Sequence, residues 1–179
     1  MTVEQYITLN APFESRGENI AQRASENYDA LHAALGIGDE LLELMLEIEA
    51  SSDEEDRLGL FNEKIIKEAG DILWYIAILC RKYELTIDMN SDIANSKPLP
   101  SITYAVQSLM SIIKKHIYYG KELDLNAVQF YINVIARKLV KICTQPLDEI
   151  MGRNYAKLSV RYGVEFDPDK AINKNEAVE

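Results

Sequence analysis

Apolar residues recur every three or four positions along most of the chain, and strand-like alternation is hard to find. The pattern therefore predicts helices. The first ten residues read as a short helix or an arm. A first long helix is expected from about Ser15 to Leu35, with Ile20, Ala24, Tyr28 and Leu31 on its apolar face. Gly36-Ile37-Gly38 interrupts the pattern, and Asp39 is expected to cap a second helix ending near Glu49, because its carboxylate accepts from unpaired backbone N–H groups. Residues 51–57 are polar and read as a connection. A third helix follows from about Leu60 to Tyr83; its residues 72–80, ILWYIAILC, are apolar nearly all round, which predicts a central position.

Pro98 and Pro100 discourage helix in residues 84–101, which read as a long loop. Two more helices are expected near Ile102–Tyr119 and Leu125–Ile142, with Gly120 between them as a C-terminal cap. Pro146 opens a last helix ending near Tyr162 and Gly163, and the tail 167–179 is polar. The expectation is one all-α domain over residues 1–166, with helices over 15–83, a loop over 84–101 and further helices over 102–166.

Composition narrows the function classes. A length of 179 residues suits one compact domain, and an apolar content of 47% excludes disorder throughout. Asp and Glu number 29 against 19 Lys and Arg, a formal charge of -10, which argues against binding duplex nucleic acid. Cys80 and Cys143 lie among apolar residues, so a disulfide scaffold is not expected. No apolar run is long enough to span a bilayer, and the first residues lack the basic-then-apolar pattern of a leader, so a cytoplasmic protein without a membrane partner is expected. The Gly-x-x-x-x-Gly-Lys-Ser/Thr loop of the common triphosphatases is missing.

The distinctive chemistry lies in two acidic pairs. Glu40 and Glu43 are three apart, as are Glu68 and Asp71, so each pair leaves one face of its helix. Both pairs sit beside strongly apolar residues. If the two helices pack together, four like charges converge, and a cation must offset their repulsion. Mg²⁺ suits such oxygen donors, with Mn²⁺ as a substitute. Spacing alone leaves a second reading open, in which both pairs are ordinary solvated acids.

Residues 32–44, HAALGIGDELLEL, and 68–79, EAGDILWYIAIL, resemble the MazG-like all-α nucleoside triphosphate pyrophosphohydrolase superfamily, whose hallmark is Glu-x-x-Glu on one helix and Glu-x-x-Asp on the next. Glu40, Glu43, Glu68 and Asp71 fill those positions over a core of about residues 18–83. Residues 154–163, NYAKLSVRYG, are similar to the family's C-terminal segment, matched at Asn154, Lys157 and Arg161. The resemblance implies a helical bundle in which the four carboxylates hold magnesium. The implied reaction is cleavage of a nucleoside triphosphate, a deoxynucleotide by preference, between its α and β phosphates to give monophosphate and pyrophosphate. Glu43 is then a candidate to orient or deprotonate the attacking water. Lys157 and Arg161, joined by Lys114 or Lys115, would neutralise the departing phosphates. Gln22, Arg23, Asn27 and His32 are candidate nucleotide contacts, and His32 reads equally well as a packed helix residue.

Residues 112–124, IIKKHIYYGKELD, suggest a degenerate internal duplication. In that register the acidic positions fall at Ala105, Ser108, Tyr131 and Val134, none of them acidic. This relates the chain to the larger dUTP-using members of the family. A homodimer or homotetramer is also expected. The alternatives are a same-fold phosphohydrolase acting on another nucleotide, and a non-catalytic helical protein that binds a partner through its Leu-rich faces.

Overall fold

A computed structural model describes residues 1–10, 12, 17–50, 60–90 and 99–163. Seven α-helices account for nearly all of them, and none of the described residues is in a strand: α1 (Val3–Asn10), α2 (Glu18–Glu26), α3 (Tyr28–Ala50), α4 (Leu60–Tyr83), α5 (Ile102–Tyr119), α6 (Leu125–Cys143) and α7 (Leu147–Tyr162). The polar connection at 51–57, both prolines' approach at 91–98 and the tail 167–179 lie outside the described residues. No helix among the described residues is long and apolar enough to cross a membrane.

The last four helices start and stop where the sequence marks them. The Ser101 hydroxyl accepts from the Tyr104 amide at the start of α5, and Asp124 does the same for Ala127 at the start of α6. Gly120 ends α5 in the left-handed conformation, φ 63°, which glycine adopts without Cβ strain. Pro146 occupies the N-cap of α7.

Two expectations for the first half are corrected. The helix foreseen over 15–35 breaks at Asn27, which ends α2 by donating its amide and its side-chain Nδ2 to the Arg23 carbonyl. Tyr28 is exposed as a result, and does not join the apolar face. Conversely, Gly36-Ile37-Gly38-Asp39 does not break the chain, because α3 runs straight through it and Asp39 is not a cap. The glycines serve packing instead. A Cβ on Gly36 would come within 2.2 Å of the Tyr75 ring of α4, and one on Gly38 within 3.0 Å of Met110 on α5. Gly36→Ala therefore gains about 1 kcal/mol of helix propensity and loses about 1–3 kcal/mol to overpacking. A lower denaturation midpoint, with a net loss of about 1 kcal/mol, is the expected result; a midpoint above wild type would show that the close approach is not limiting.

α3 and α4 pack as an antiparallel pair. Lys64 reaches Glu47 at 3.4 Å, Gly36 meets Tyr75, and beyond them the Lys82 ammonium donates at 2.9 Å to the carbonyl of Glu26, which ends α2 just before α3 begins. Positions thus fall on one helix as they rise on the other. α5 and α6 form a second pair laid against the first, and α7 packs on α4. The core between the pairs is built from Ile37, Leu44, Ile72, Ile76 and Leu79 of the first and Leu109, Ile113, Ile117, Ile132, Ile135 and Leu139 of the second, all fully buried. Each such side chain contributes roughly 1.5–3 kcal/mol. α4 is the central helix, as its apolar run predicted. Both cysteines are free, and burial pushes the Cys143 thiol up to about 11.

The connection after α4 is held by three side chains one helical turn apart on α6. Gln129 bonds Thr86, Asn133 accepts from the Asp88 amide at 2.9 Å, and Arg137 donates to the Met89 carbonyl at 2.9 Å. Ala105 and Val134, at the positions where a duplication would have carried acids, are fully buried and apolar.

Candidate metal centre

The antiparallel pairing of α3 and α4 sets Glu40 opposite Glu68 and Asp71. One carboxylate oxygen from each lies within 4.8 Å of the others. Glu43, the fourth predicted member, is exposed and outside this triad, although its charge acts on Glu40 and Glu68. Residues three apart on a helix differ by about 60° in direction, so Glu43 turns toward solvent when Glu40 faces α4.

The centre is strongly acidic and largely desolvated. Burial, then the charges of Asp71, Glu43 and Glu68, raises the Glu40 carboxyl to about 7, against a smaller opposing effect of Lys157. Glu68 is 5% exposed, and burial raises its carboxyl too, opposed by its bond from Lys67. The Lys67 ammonium donates to Glu68 Oε1 at 3.1 Å; burial, the largest single influence, lowers its pKa, but that bond and the charges of Glu68, Asp71 and Glu43 together raise it. Glu68 Oε2 is buried with no hydrogen-bond partner. An orphaned buried carboxylate oxygen costs several kcal/mol unless something satisfies it. Three convergent hard-oxygen donors, one of them from this carboxylate, fit a divalent cation such as Mg²⁺ or Mn²⁺.

α7 closes one side of the centre. A Cβ on Gly70 would lie 2.8 Å from the Asn154 Cβ, so the bare glycine lets α7 approach α4 closely. From there Asn154 Nδ2 donates to Asp71 Oδ1 at 2.7 Å, and the Lys157 ammonium donates to both Asp71 oxygens at 2.6 Å. Asn154 and Lys157 thus reach the centre through Asp71. Arg161, one turn further on, is half-buried with its guanidinium 5.8 Å from the Tyr162 ring centroid.

The remaining predicted contacts are placed elsewhere. Arg23 donates to the Ile117 carbonyl at 2.7 Å and to that of Tyr118 at 3.5 Å, tying α2 to the end of α5. Gln22 bonds Glu26 on its own helix, and Asn27 caps it. His32 lies among rings, 5.4 Å from Tyr75 and 6.3 Å from Trp74 between centroids. It shares an open cleft with Gly36, Asp39, Tyr75 and Gln107. Lys114 lines a neighbouring cleft between α3 and α5, and Lys115 is exposed.

Two contributors were not foreseen. Adjacent helix residues point about 100° apart, so Lys67 gives no sequence sign that it will bend back onto Glu68. Gly70 stands inside the acidic motif, where a spacer and a packing cradle read alike.

The fold and site define an all-α bundle with an acidic triad, buried at Glu68 and half-buried at Glu40 and Asp71, capable of coordinating a metal ion, as in metal-dependent catalytic sites generally. No family model matches the chain, and no curated protein or solved structure shows significant similarity to it.

Proposed function

We propose that the protein is a magnesium-dependent nucleoside triphosphate pyrophosphohydrolase, most at home with a deoxynucleotide. The observation that carries this reading is the convergence of carboxylate oxygens of Glu40, Glu68 and Asp71 within 4.8 Å, at a buried Glu68 whose Oε2 has no hydrogen-bond partner. The MazG-like motif resemblance supplies the reaction, attack of water at the α phosphate with loss of pyrophosphate.

In this reading Glu40, Glu68 and Asp71 hold the cation, which when bound polarises phosphate oxygens and offsets charge developing on them. Asn154 orients the Asp71 carboxylate, and Lys67 orients Glu68. Glu43, turned to solvent beside the triad, orients the attacking water. Lys157 and Arg161 neutralise the departing phosphates, and the His32 cleft accepts part of the nucleoside. In this reading α5 and α6 brace this half, as a repeat that kept its packing and lost its acids.

A second reading has one observation in its favour. Leu35, Leu42, Met45 and Leu46 are all exposed on α3, an apolar stripe suited to a partner helix. It serves a homodimer of the enzyme equally, or a non-catalytic interaction protein.

Incubating the protein with Mg²⁺ and the ribo- and deoxyribonucleoside triphosphates, with products separated by chromatography, tests the reaction. Monophosphate and pyrophosphate are expected from the first turnover. Diphosphate and inorganic phosphate as first products would reject the bond assignment. An inert protein that still binds magnesium would favour another phosphorylated substrate.

A further inference from the structure

The Lys157 ammonium occupies Asp71 in a way that a divalent ligand set cannot tolerate unchanged. It bonds both carboxylate oxygens at 2.6 Å, and both side chains are largely shielded from water, with 16% and 17% exposure. Asn154 takes a further position on Oδ1. Of the roughly four lone-pair sites of an ionised carboxylate, Asp71 therefore keeps one open, on Oδ2. Meanwhile the buried Glu68 Oε2 has no hydrogen-bond partner. The triad is satisfied unevenly, with one carboxylate doubly held by a fixed cation and another left with a bare oxygen.

We infer that Lys157 is a built-in counter-ion that competes with the divalent cation for Asp71 and couples metal binding to the binding of a polyphosphate. The inference rests on the metal-centre reading above. Its logic is electrostatic. A cation entering beside Glu68 must share the Asp71 carboxylate with Lys157, and two positive groups are then crowded into one partly desolvated space. The four-carbon stem of lysine lets the ammonium move away from the carboxylate while α7 stays seated on Gly70. An anion bridging the metal and the displaced ammonium relieves the repulsion. Metal alone should bind weakly, metal and polyphosphate should each strengthen the other, and linkage requires the two enhancements to be equal.

The test is calorimetric titration of the full chain with Mn²⁺ at pH 8.5, where protons compete little for the carboxylates, with and without inorganic pyrophosphate. Three variants are compared, Lys157→Met, Lys157→Gln and Lys157→Arg, each checked for a helical spectrum like wild type. Lys157→Met and Lys157→Gln should bind Mn²⁺ alone at least about 10-fold more tightly than wild type, and pyrophosphate should no longer enhance binding. Lys157→Arg keeps the charge and should keep both the weak binding and the enhancement. The glutamine variant retains a side-chain donor near Asp71, which guards against a folding failure of the methionine one. Unchanged or weaker Mn²⁺ affinity in folded Lys157→Met and Lys157→Gln, with wild type binding normally, overturns the competition while leaving the metal centre standing. Failure of folded wild type and all variants to bind Mn²⁺ overturns the metal centre itself, and the competition with it.

Discussion

Glu68→Gln is expected to abolish magnesium binding and to lower turnover by about 100-fold or more, while leaving the fold intact. The substitution is nearly isosteric and removes one charge from a side chain that is 5% exposed. Three oxygens within 4.8 Å make a small ligand set, so losing one anionic donor removes a large share of it. A 100-fold loss corresponds to about 2.7 kcal/mol of transition-state stabilisation at roughly 1.4 kcal/mol per factor of ten. Asp71→Asn should behave alike and should also loosen Lys157, its bonded partner. Calorimetry with Mg²⁺ and steady-state turnover measure the two effects separately. Full metal affinity in folded Glu68→Gln would remove the triad from consideration as the metal centre.

Glu40→Gln is expected to do the opposite to stability when metal is absent. The Glu40 carboxyl is raised to about 7 from 4.5 by burial and by the neighbouring acids. Below pH 4.5 it is protonated in both folded and unfolded chains and imposes no penalty. Between about 4.5 and 7 the unfolded chain releases the proton while the folded protein retains it, so stability falls as pH rises, and above 7 the penalty is constant. Glu40 is half-buried, so solvent screening reduces the penalty to about 1–2 kcal/mol. In chelator at pH 8, Glu40→Gln should thus raise the thermal midpoint; at pH 4 the two proteins should melt together. Magnesium should raise the wild-type midpoint and move that of the variant much less. A variant less stable than wild type at pH 8 without metal would show that repulsion does not govern this site.

The helices after residue 60 were legible because their ends are written in local chemistry. Gly120 and Pro146 mark two of those ends in the sequence, and the structure uses them as a C-cap and an N-cap; the N-caps Ser101 and Asp124, each accepting from an amide three residues on, emerge only in the structure. Gly36 and Gly38 misled because a glycine marks either a break or a close approach, and only the distant Tyr75 and Met110 decide which. Asn27 was missed because no glycine or proline announces it. For the site, the spacing of the acids and their resemblance to a known motif already pointed to Glu40, Glu68 and Asp71 as one cluster. Spacing could not say that Glu43 would face outward, since a residue three positions away shares a face only approximately. Nor could it say that Lys157 would lie on Asp71, which depends on how far α7 can sink onto Gly70.

That seat of Asn154 against Gly70 makes the end of the chain sensitive to phase and indifferent to much of its spelling. Asn154 and Lys157 are two prongs three residues apart, and both must meet Asp71. Tyr155 and Ala156 between them are exposed, so many substitutions there leave the prongs aligned. A single inserted residue in the same interval would turn Lys157 by about 100° relative to Asn154 and carry it off the carboxylate. Homologous chains that share this centre should vary freely in letters at these two positions and hardly at all in their number.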